Sequence, residues 1–570
     1  MKNFEIANIF NVMADILELN DENPFRIRAY RKAALNLEAL TEDLEDIAQK
    51  NKVKDIPGIG SDLASKIAEY LSTGRIEAYE KLKKETPQIL LEMTAIPGVG
   101  TKTSRLLYNR LKIKSIADLE AKAKAHKIQA LPGMKAKTEE NILKGIALIK
   151  RSYERMPFAA AEAVADGIIT KLRALPEVKN ISAAGSLRRK KETIGDIDIL
   201  VASDRPEGIM NIFTGLPQVK KVLSHGETRS SILTYKDVQA DLRVVKDDSF
   251  GAALCYFTGS KSHNIQLRKI AIKKKLKLNE YGLFSGKKRV AGKDEAGVYR
   301  KLGMAFIPPE LREDQGEIQS AINNKLPNLL KLGDIKGDFH AHSNWSDGKA
   351  TLEELAAAAK KLGYEYLAVT DHSKSLRIAG GLKENELLEK IGRIKNINKK
   401  LKGIRLLAGA EVDIANDGRL DYADDILKQL DIVIAAIHSG FKQTKEKLTR
   451  RITTAMKNKH VHIIAHLSGR LLGARDPYEI DTDDILKAAG DTNTALEVNA
   501  FPDRLDLTDI NCRRAKNMGV KMAIGTDAHA LEHLNANMQY GINVARRGWL
   551  KKKDVLNTLS LDALLKALKK

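Results

Sequence analysis

Beyond residue 334 the chain settles into a regular rhythm. Short apolar runs at 335–339, 366–370, 406–410, 432–437, 461–465, 495–498 and 522–526 alternate with amphipathic stretches. Apolar runs this short, separated by helical patterns, predict parallel strands joined by crossover helices. Upstream the pattern differs. Residues 195–201, GDIDILV, alternate polar with apolar and predict a strand; 238–244, VQADLRV, predict a neighbouring one. Residues 1 to about 80 predict short helices, the first running from Asn3 to Leu19 and ending before a turn at Asn23-Pro24. A connector with helical character, broken by Pro308, Pro309 and Pro327, separates the two patterns.

Each C-terminal run leads into side chains that bind metals. His340, His342 and Asp347 follow the first, Asp371 and His372 the second, and Glu411 the third. His438, His466 and Asn499 follow the next three, and Asp527 with His529 the last. Nine of the 12 histidines lie beyond residue 335. In parallel barrels ligands gather where strands end, at the C-terminal face. One histidine after a strand is ordinarily structural, but the series HxH, DH, E, H, H and DxH points to one metal pocket. Mixed imidazole and carboxylate donors suit Mn²⁺, Zn²⁺ or Fe²⁺ better than Mg²⁺. His460, His462 and His533 read as structural or surface residues. Arg470 and Arg504 sit near ligand strands and fit either phosphate binding or solvent exposure.

The stretch 184–201, AGSLRRKKETIGDIDILV, holds a second device. Gly185-Ser186 starts a loop of little bulk, where backbone N–H groups can approach an anion. Arg188 and Arg189 add planar donors suited to phosphate oxygens. In a strand, Asp196 and Asp198 share a face. Two carboxylates so placed repel unless a cation lies between them, and Mg²⁺ or Mn²⁺ is the usual one. A bare DxD also fits a solvated edge strand. The arginines, the Gly-Ser loop and the flanking apolar run favour phosphate chemistry.

Composition narrows the partners. Lys and Arg number 96 against 74 Asp and Glu, a formal net charge of +22. An excess of that sign on a folded chain suggests a polyanion such as nucleic acid, although solubility alone also accounts for it. Cys255 and Cys512 form no CxxC and no dense spacing, against a disulfide scaffold or a zinc finger. No apolar run is long enough to span a bilayer, and MKNFEIANIF lacks the features of a signal peptide. A cytoplasmic, monomeric enzyme is the expectation.

Residues 25–32, FRIRAYRK, interleave aromatics with basic residues, as suits a nucleic-acid backbone. DIPGIG at 55–60 leads into a helix, the pattern returns as IPGVGTK at 96–102, and a weaker copy is LPGMK at 131–135. Each PGxG can aim backbone N–H groups at phosphates without reading bases. One copy is an ordinary turn between helices; three in a basic region point to non-specific DNA gripping through Gly58, Gly60, Gly98 and Gly100.

On these motifs the chain resembles family X DNA polymerases, the DNA polymerase beta group, followed by a PHP (polymerase and histidinol phosphatase) domain. The resemblance implies a multidomain α/β protein. Its parts are a small helical domain at 1–80, a second helix-hairpin-helix subdomain at 81–155 and a nucleotidyltransferase palm at 156–245. A nucleotide-selection subdomain at 246–316, a linker at 317–334 and a distorted seven-stranded βα barrel at 335–570 follow. It implies catalytic and metal-binding roles for Asp196, Asp198 and Asp241, with two palm ions, Mg²⁺ or Mn²⁺. The family often has Arg two positions before the third aspartate; here it is Gln239, which leaves that charge tuning open. Nucleotide binding falls to Gly185, Ser186, Arg189 and Gly195. It extends to Tyr256, Phe257 and Gly259 of the CYFTGS motif, and to Lys261, Asn264 and Arg268. Lys261 departs from an acidic residue in polymerase beta.

The resemblance also implies nine barrel ligands for up to three ions, Mn²⁺, Zn²⁺ or Fe²⁺: His340, His342, Asp347, His372, Glu411, His438, His466, Asp527 and His529. Lys66 matches a lysine that forms a Schiff base in 5′-deoxyribose-phosphate removal; an ordinary phosphate-binding or solvent lysine is the other reading. The expected activity is filling of short gaps from dNTPs at primer 3′ ends in base excision repair. The expected barrel activity is 3′→5′ exonuclease, with abasic-site cleavage or 3′-phosphate removal as related chemistries. Two alternatives stay open. One is a template-independent nucleotidyltransferase; the other is a repair polymerase whose barrel is a structural or DNA-binding module.

Overall fold

The computed structural model describes residues 2–569 apart from 39–43, 51, 57, 95, 97 and 98. The chain forms two compact units, Met1–Arg151 with Gly473–Arg475, and Ser152–Leu472 with Asp476–Lys570.

The first unit is helical. Lys2–Leu19 packs on Pro24–Glu38 and on Ser61–Thr73 through Ile6, Phe10, Met13, Tyr30, Leu63 and Ile67, all buried. A second core gathers Met93, Ile96, Val99, Leu107, Leu119 and Ile142 under helices Thr101–Leu111, Ile116–Lys124 and Ala136–Glu154. The expected short helices are therefore present.

The second unit begins with a five-stranded sheet. Its strands are β1 (Asn180–Ala183), β2 (Asp196–Ala202), β3 (Val219–His225), β4 (Arg229–Thr234) and β5 (Gln239–Val245), in spatial order β1-β2-β5-β4-β3. β2 and β5 run parallel with Asp198 opposite Asp241. The even positions of β2 alternate with Ile197 and Ile199, which sink into a core with Phe158, Ile168, Phe213 and Leu242. That burial sets the face: a slip of one residue would turn both aspartates inward. Helices Phe250–Thr258 and Lys261–Lys273 follow, then a hairpin sheet of β6 (Lys277–Asn279), β7 (Gly282–Ser285) and β8 (Lys288–Ala291).

Seven parallel strands then wrap around: β9 (Gly337–Ala341), β10 (Tyr366–Val369), β11 (Arg405–Asp413), β12 (Ile432–Ala436), β13 (Ile463–Ile464), β14 (Ala495–Asn499) and β15 (Met522–Gly525), in sequential order. A parallel bridge between Ala341 and Ala528 brings the last strand end back to the first, so the barrel is nearly closed. The fifth run is shorter as a strand than the apolar stretch 461–465 predicts. Inside, Phe339, Tyr366, Ala368, Leu407, Ile434, Ala436 and Ile463 fill the barrel, and Leu564 and Leu568 add to the same core. Outside, helices such as Leu352–Lys361, Glu384–Asn398 and Leu531–Arg547 bury a second layer on the strands. The filled interior leaves the C-terminal strand ends as the place for polar groups.

Candidate active sites

The sheet site is built on β2 and β5. Asp196 is exposed, Asp198 partly buried, and Asp241 lies in register beside Asp198. Burial, then the charges of Asp196 and Asp241, push the Asp198 carboxyl up to about 7. An unmet need for positive charge is what such a shift records. Gly185 sits against this carboxylate: its φ is +57°, and a Cβ there would come within 2.1 Å of Asp198 Oδ2. Only glycine fits this approach. Residues Gly185–Arg188 form a short helical turn rather than the open loop expected.

A cleft of about 970 Å³ opens from this carboxylate pair. Gly185, Ser186, Arg189, Asp196, Asp198, Tyr256, Phe257, Gly259, Lys261, Asn264 and Arg268 all line it. Asp241 faces an adjoining small cavity that Asp198 also lines. Gly195 stands just before β2 and is not among the residues lining the cleft.

The two arginines divide. Arg188 does not face the cleft as an anion donor. It forms a two-pronged pair with Glu295 at 2.9 and 2.6 Å and donates to Thr258 Oγ1, beside buried Arg312, which shares Glu295 at 2.7 Å. That corrects the expectation that both arginines meet phosphate. Arg189 reaches the cleft, held by Glu313 at 3.0 Å and by the carbonyl of Thr258.

At Asp241, Gln239 donates a 2.9 Å hydrogen bond, and Arg229 of the neighbouring strand lies 3.5 Å away. A cation thus reaches Asp241 from β4, not from residue 239. Tyr256 and Phe257 end a helix and meet edge to face at 5.2 Å, while Asn264 donates to the Tyr256 carbonyl at 2.6 Å.

The barrel site is more enclosed. Glu411 is its hub. Its carboxylate lies 3.3 Å from His340 Nε2, 2.9 Å from His372 Nδ1, 3.2 Å from His438 Nε2 and 2.7 Å from His466 Nε2. Asp527 lies 3.3 Å from His342 Nε2, and Asp347 lies 3.4 Å from both His372 and His529. Three subsets have donor atoms within 4.8 Å of one another: His342, Asp347, His372 and His529; His340, His342 and Asp527; His372, Glu411 and His438. The structure brings together all nine side chains expected at strand ends.

A cation fits this cluster on the structure's own terms. Buried His340 Nε2, both ring nitrogens of His342, His372 Nδ1, Glu411 Oε2 and His466 Nδ1 find no hydrogen-bond partner. Burial drives the imidazoles toward neutral, and at His372 and His438 it is outweighed by Glu411, joined by Asp347 at the first and Asp413 at the second. They lift His372 to about 10 and His438 to about 9. Burial with the surrounding histidines lowers His342 to about 4. Protons thus do part of the charge balancing that a metal ion does in a donor set of this kind.

Groups behind the cluster orient it. Glu497 accepts from His340 Nδ1 at 2.6 Å and from the His466 amide at 2.7 Å. Asp413 holds His438 Nδ1 at 2.7 Å. A Cβ at residue 525 would meet Glu497 Oε1 at 2.2 Å and His340 Cβ at 2.6 Å, so Gly525 leaves room for this pair. Arg504 points its Nε at Asp527 Oδ2 from 3.3 Å, while Arg470 is spent on Glu192 and on backbone carbonyls.

In the first unit, Gly60 and Gly100 each stand immediately before a helix, and Gly58 adopts φ +79°. Gly98, like Pro57 and Pro97, lies outside the described residues. Lys66 lies on helix Ser61–Thr73 and pairs with Asp62 one turn earlier.

Comparison with known proteins decides the family. Residues 253–313 match the DNA polymerase beta thumb and 338–501 the PHP domain. Residues 1–76 match a helix-hairpin-helix domain, and 90–148 a SAM-like helix-hairpin-helix tandem. The chain is 39% identical over 570 residues to the DNA polymerase/3′-5′ exonuclease PolX of Bacillus subtilis (strain 168), covering 99% of each protein. This chain belongs to the family X DNA polymerases that carry a C-terminal PHP domain. Part of the barrel has separate kin. A probable phosphatase of Thermoanaerobacter sp. (strain X514) is 33% identical over 233 residues, which is 39% of this chain and 89% of that protein. A probable phosphatase of Caldicellulosiruptor bescii is 32% identical over 202 residues, 33% of this chain and 75% of that one.

Three groups of this family member escaped the sequence reading. Glu497 was readable only as a charge inside an apolar run. Asp413 sits two residues past Glu411 on the same strand face, a spacing that carried a signal. Arg229 acts across a strand pairing that no local pattern reveals.

Proposed function

We infer that this chain adds deoxynucleotides to primer 3′ ends in short DNA gaps and removes 3′ nucleotides in its barrel. The observation that carries the reading is the pairing of two unlike cation sites in one compact unit. One is a carboxylate trio beside an arginine-lined cleft, the other a buried imidazole–carboxylate cluster. In the cleft, Arg189, Ser186 and the backbone at Gly185 would take the triphosphate oxygens, with Tyr256, Phe257, Gly259, Asn264, Lys261 and Arg268 around the sugar and base. Asp196, Asp198 and Asp241 would hold Mg²⁺ or Mn²⁺, which supplies positive charge to the attacking and leaving oxygens. Asp241, at the edge of the trio, would take the proton of the primer hydroxyl or help its removal.

In the barrel, the nine side chains would hold Mn²⁺, Zn²⁺ or Fe²⁺, whose Lewis acidity serves phosphodiester hydrolysis. Arg504 would neutralise a phosphate arriving beside Asp527. The buried imidazole nitrogens that make no hydrogen bond favour this over a barrel that only clamps DNA, because a purely structural core satisfies its polar atoms. The helix starts at Gly60 and Gly100 would grip the backbone of gapped or nicked duplex. Among the described residues no helix is long and apolar enough to cross a membrane.

The test uses one preparation of full-length protein, a gapped duplex with labelled primer, dNTPs in one arm and none in the other. Extension in the first arm and shortening from the 3′ end in the second are expected. Absence of extension with every divalent ion tried removes the polymerase assignment, and absence of shortening removes the exonuclease.

A further inference from the structure

The cleft that Arg189 enters is not built by the polymerase part alone. Thr508, Asp509, Ile510, Val544 and Arg547, all from the barrel, complete its lining. Arg547 is the last residue of helix Leu531–Arg547, and its side chain is only 4% exposed. Its guanidinium donates to the Arg189 carbonyl at 2.8 Å, to Glu313 Oε1 at 3.1 Å and to Asp509 Oδ2 at 2.6 Å. Glu313 Oε1 is the same oxygen that accepts from Arg189 Nε at 3.0 Å, with Lys191 at 3.7 Å. One carboxylate therefore sits among three cations, two from the polymerase part and one from the barrel. A second joint flanks the first. Arg470 holds Glu192 through contacts of 3.2 and 2.7 Å, and Tyr540 packs edge to face on Phe158 at 5.9 Å. The barrel thus grips the segment that carries Arg189 at two points.

We propose that Arg547 is a positioning residue for nucleotide addition, which frees Arg189 for the incoming triphosphate by sharing Glu313 and by fixing the Arg189 backbone. The proposal rests on the cleft being the nucleotide site. A triphosphate must draw Arg189 away from Glu313. A carboxylate that keeps a second, buried, hydrogen-bonded cation gives up the first at lower cost, because it is not left as an unpaired buried charge. Asp509 anchors Arg547, so the exchange needs only the tip of Arg189 to move. Without Arg547, Glu313 competes with the phosphate for Arg189. Weaker ground-state binding of nucleotide follows, not slower chemistry.

The test is steady-state gap filling with Arg547→Gln, Arg547→Lys and the double variant Arg547→Gln/Glu313→Gln. Arg547→Gln is expected to raise the nucleotide KM about tenfold, as loss of one charge-assisted contact does, with kcat within about twofold. Arg547→Lys, which keeps the charge but not the fork, is expected to fall between. The double variant is expected to return KM toward wild type, because the competing carboxylate is gone. A merely structural Arg547 has no reason to be rescued by losing its partner. A wild-type KM in Arg547→Gln overturns the proposal, as does a fall in kcat, melting temperature and 3′ degradation together without rescue. If Arg547→Gln does not fold, Arg547→Lys decides: a raised KM supports the proposal and an unchanged one overturns it. Wild-type protein that adds no nucleotide overturns the reading of the cleft instead, so the two failures are distinct.

Discussion

The two cation sites solve the same electrostatic problem in opposite ways. On the sheet, Asp196 and Asp198 face an open cleft and Asp241 an adjoining small cavity, and burial with the two neighbouring charges pushes the Asp198 carboxyl up to about 7. In the barrel, carboxylates are outnumbered by imidazoles, and Glu411 stays ionised far below its usual range despite full burial, held down by His438, His340 and His372. An open acidic trio can take and release a cation with each nucleotide. A buried cluster with its own supporting layer would keep its cations in place. The difference suits an exchange of metal–substrate complexes at one site and a resident set at the other.

The sharpest way to break this comparison is to cross the sites. Asp196→Ala/Asp198→Ala is expected to lower nucleotide addition by about a thousandfold or more while 3′ degradation stays within about twofold, since the sheet then lacks its electrostatic anchor. His340→Ala/His342→Ala is expected to do the reverse. Primer extension and degradation measured on both variants check it. If both variants lose both activities while folded, the sites are not independent.

A smaller effect tests whether the supporting layer matters only in the barrel. Glu497→Gln removes the charge behind His340 and His466 without touching any of the nine clustered side chains. Metal affinity or degradation is expected to fall 10- to 100-fold, the usual loss for such partners, with gap filling unchanged. Metal content after dialysis reads the affinity directly. Full occupancy in the variant would mean that Glu497 only fills space.

These residues also show how far the sequence carries. The barrel was legible because its runs are short and evenly spaced, and because each ends on a ligand type. Asp196 and Asp198 were legible because period two is a local property. What stayed hidden depends on strand neighbours or on distant packing. Arg229 meets Asp241 only once β4 pairs with β5. Arg188 and Arg189 look equivalent in the chain, yet Glu295, 107 positions away, takes one of them. Arg547 lies 358 positions from the carbonyl it holds. No spacing rule reaches across such separations; burial of the opposing charge decides them.

Proton release compares the sites next. In the barrel the neighbouring carboxylates lift His372 to about 10 and His438 to about 9, so a cation must displace protons near neutral pH. Metal affinity there is expected to fall about tenfold per pH unit for each proton displaced. Titration in a weakly buffered solution should acidify it, and between pH 8 and 6 the apparent affinity should drop. A flat profile would show that those imidazoles are already neutral.

The smallest expected effect is on stability, and it isolates the sheet. Asp198 has its carboxyl raised from 3.8 to about 7, by burial first and by Asp196 and Asp241 next. The sign follows from linkage: with both states protonated below about 4 there is no penalty, and stability is lost as pH rises toward and through the folded value. A shift of that size is worth roughly 4 kcal/mol at full strength, and solvent in the open cleft reduces it to about 1–2 kcal/mol. Asp198→Asn keeps the shape and removes the charge. In chelator, it is expected to melt a few degrees above wild type at pH 8, about 2–4 °C per kcal/mol for a domain of this size. Near pH 4 the two should melt together. Excess Mg²⁺ or Mn²⁺ at pH 8 should then erase or reverse the gap, because only the wild-type trio gains a bound cation that stabilises the folded state. A variant that melts lower than wild type at pH 8 without metal would mean that the Asp198 carboxylate is already well compensated, and the contrast between the two sites would fail at its open end.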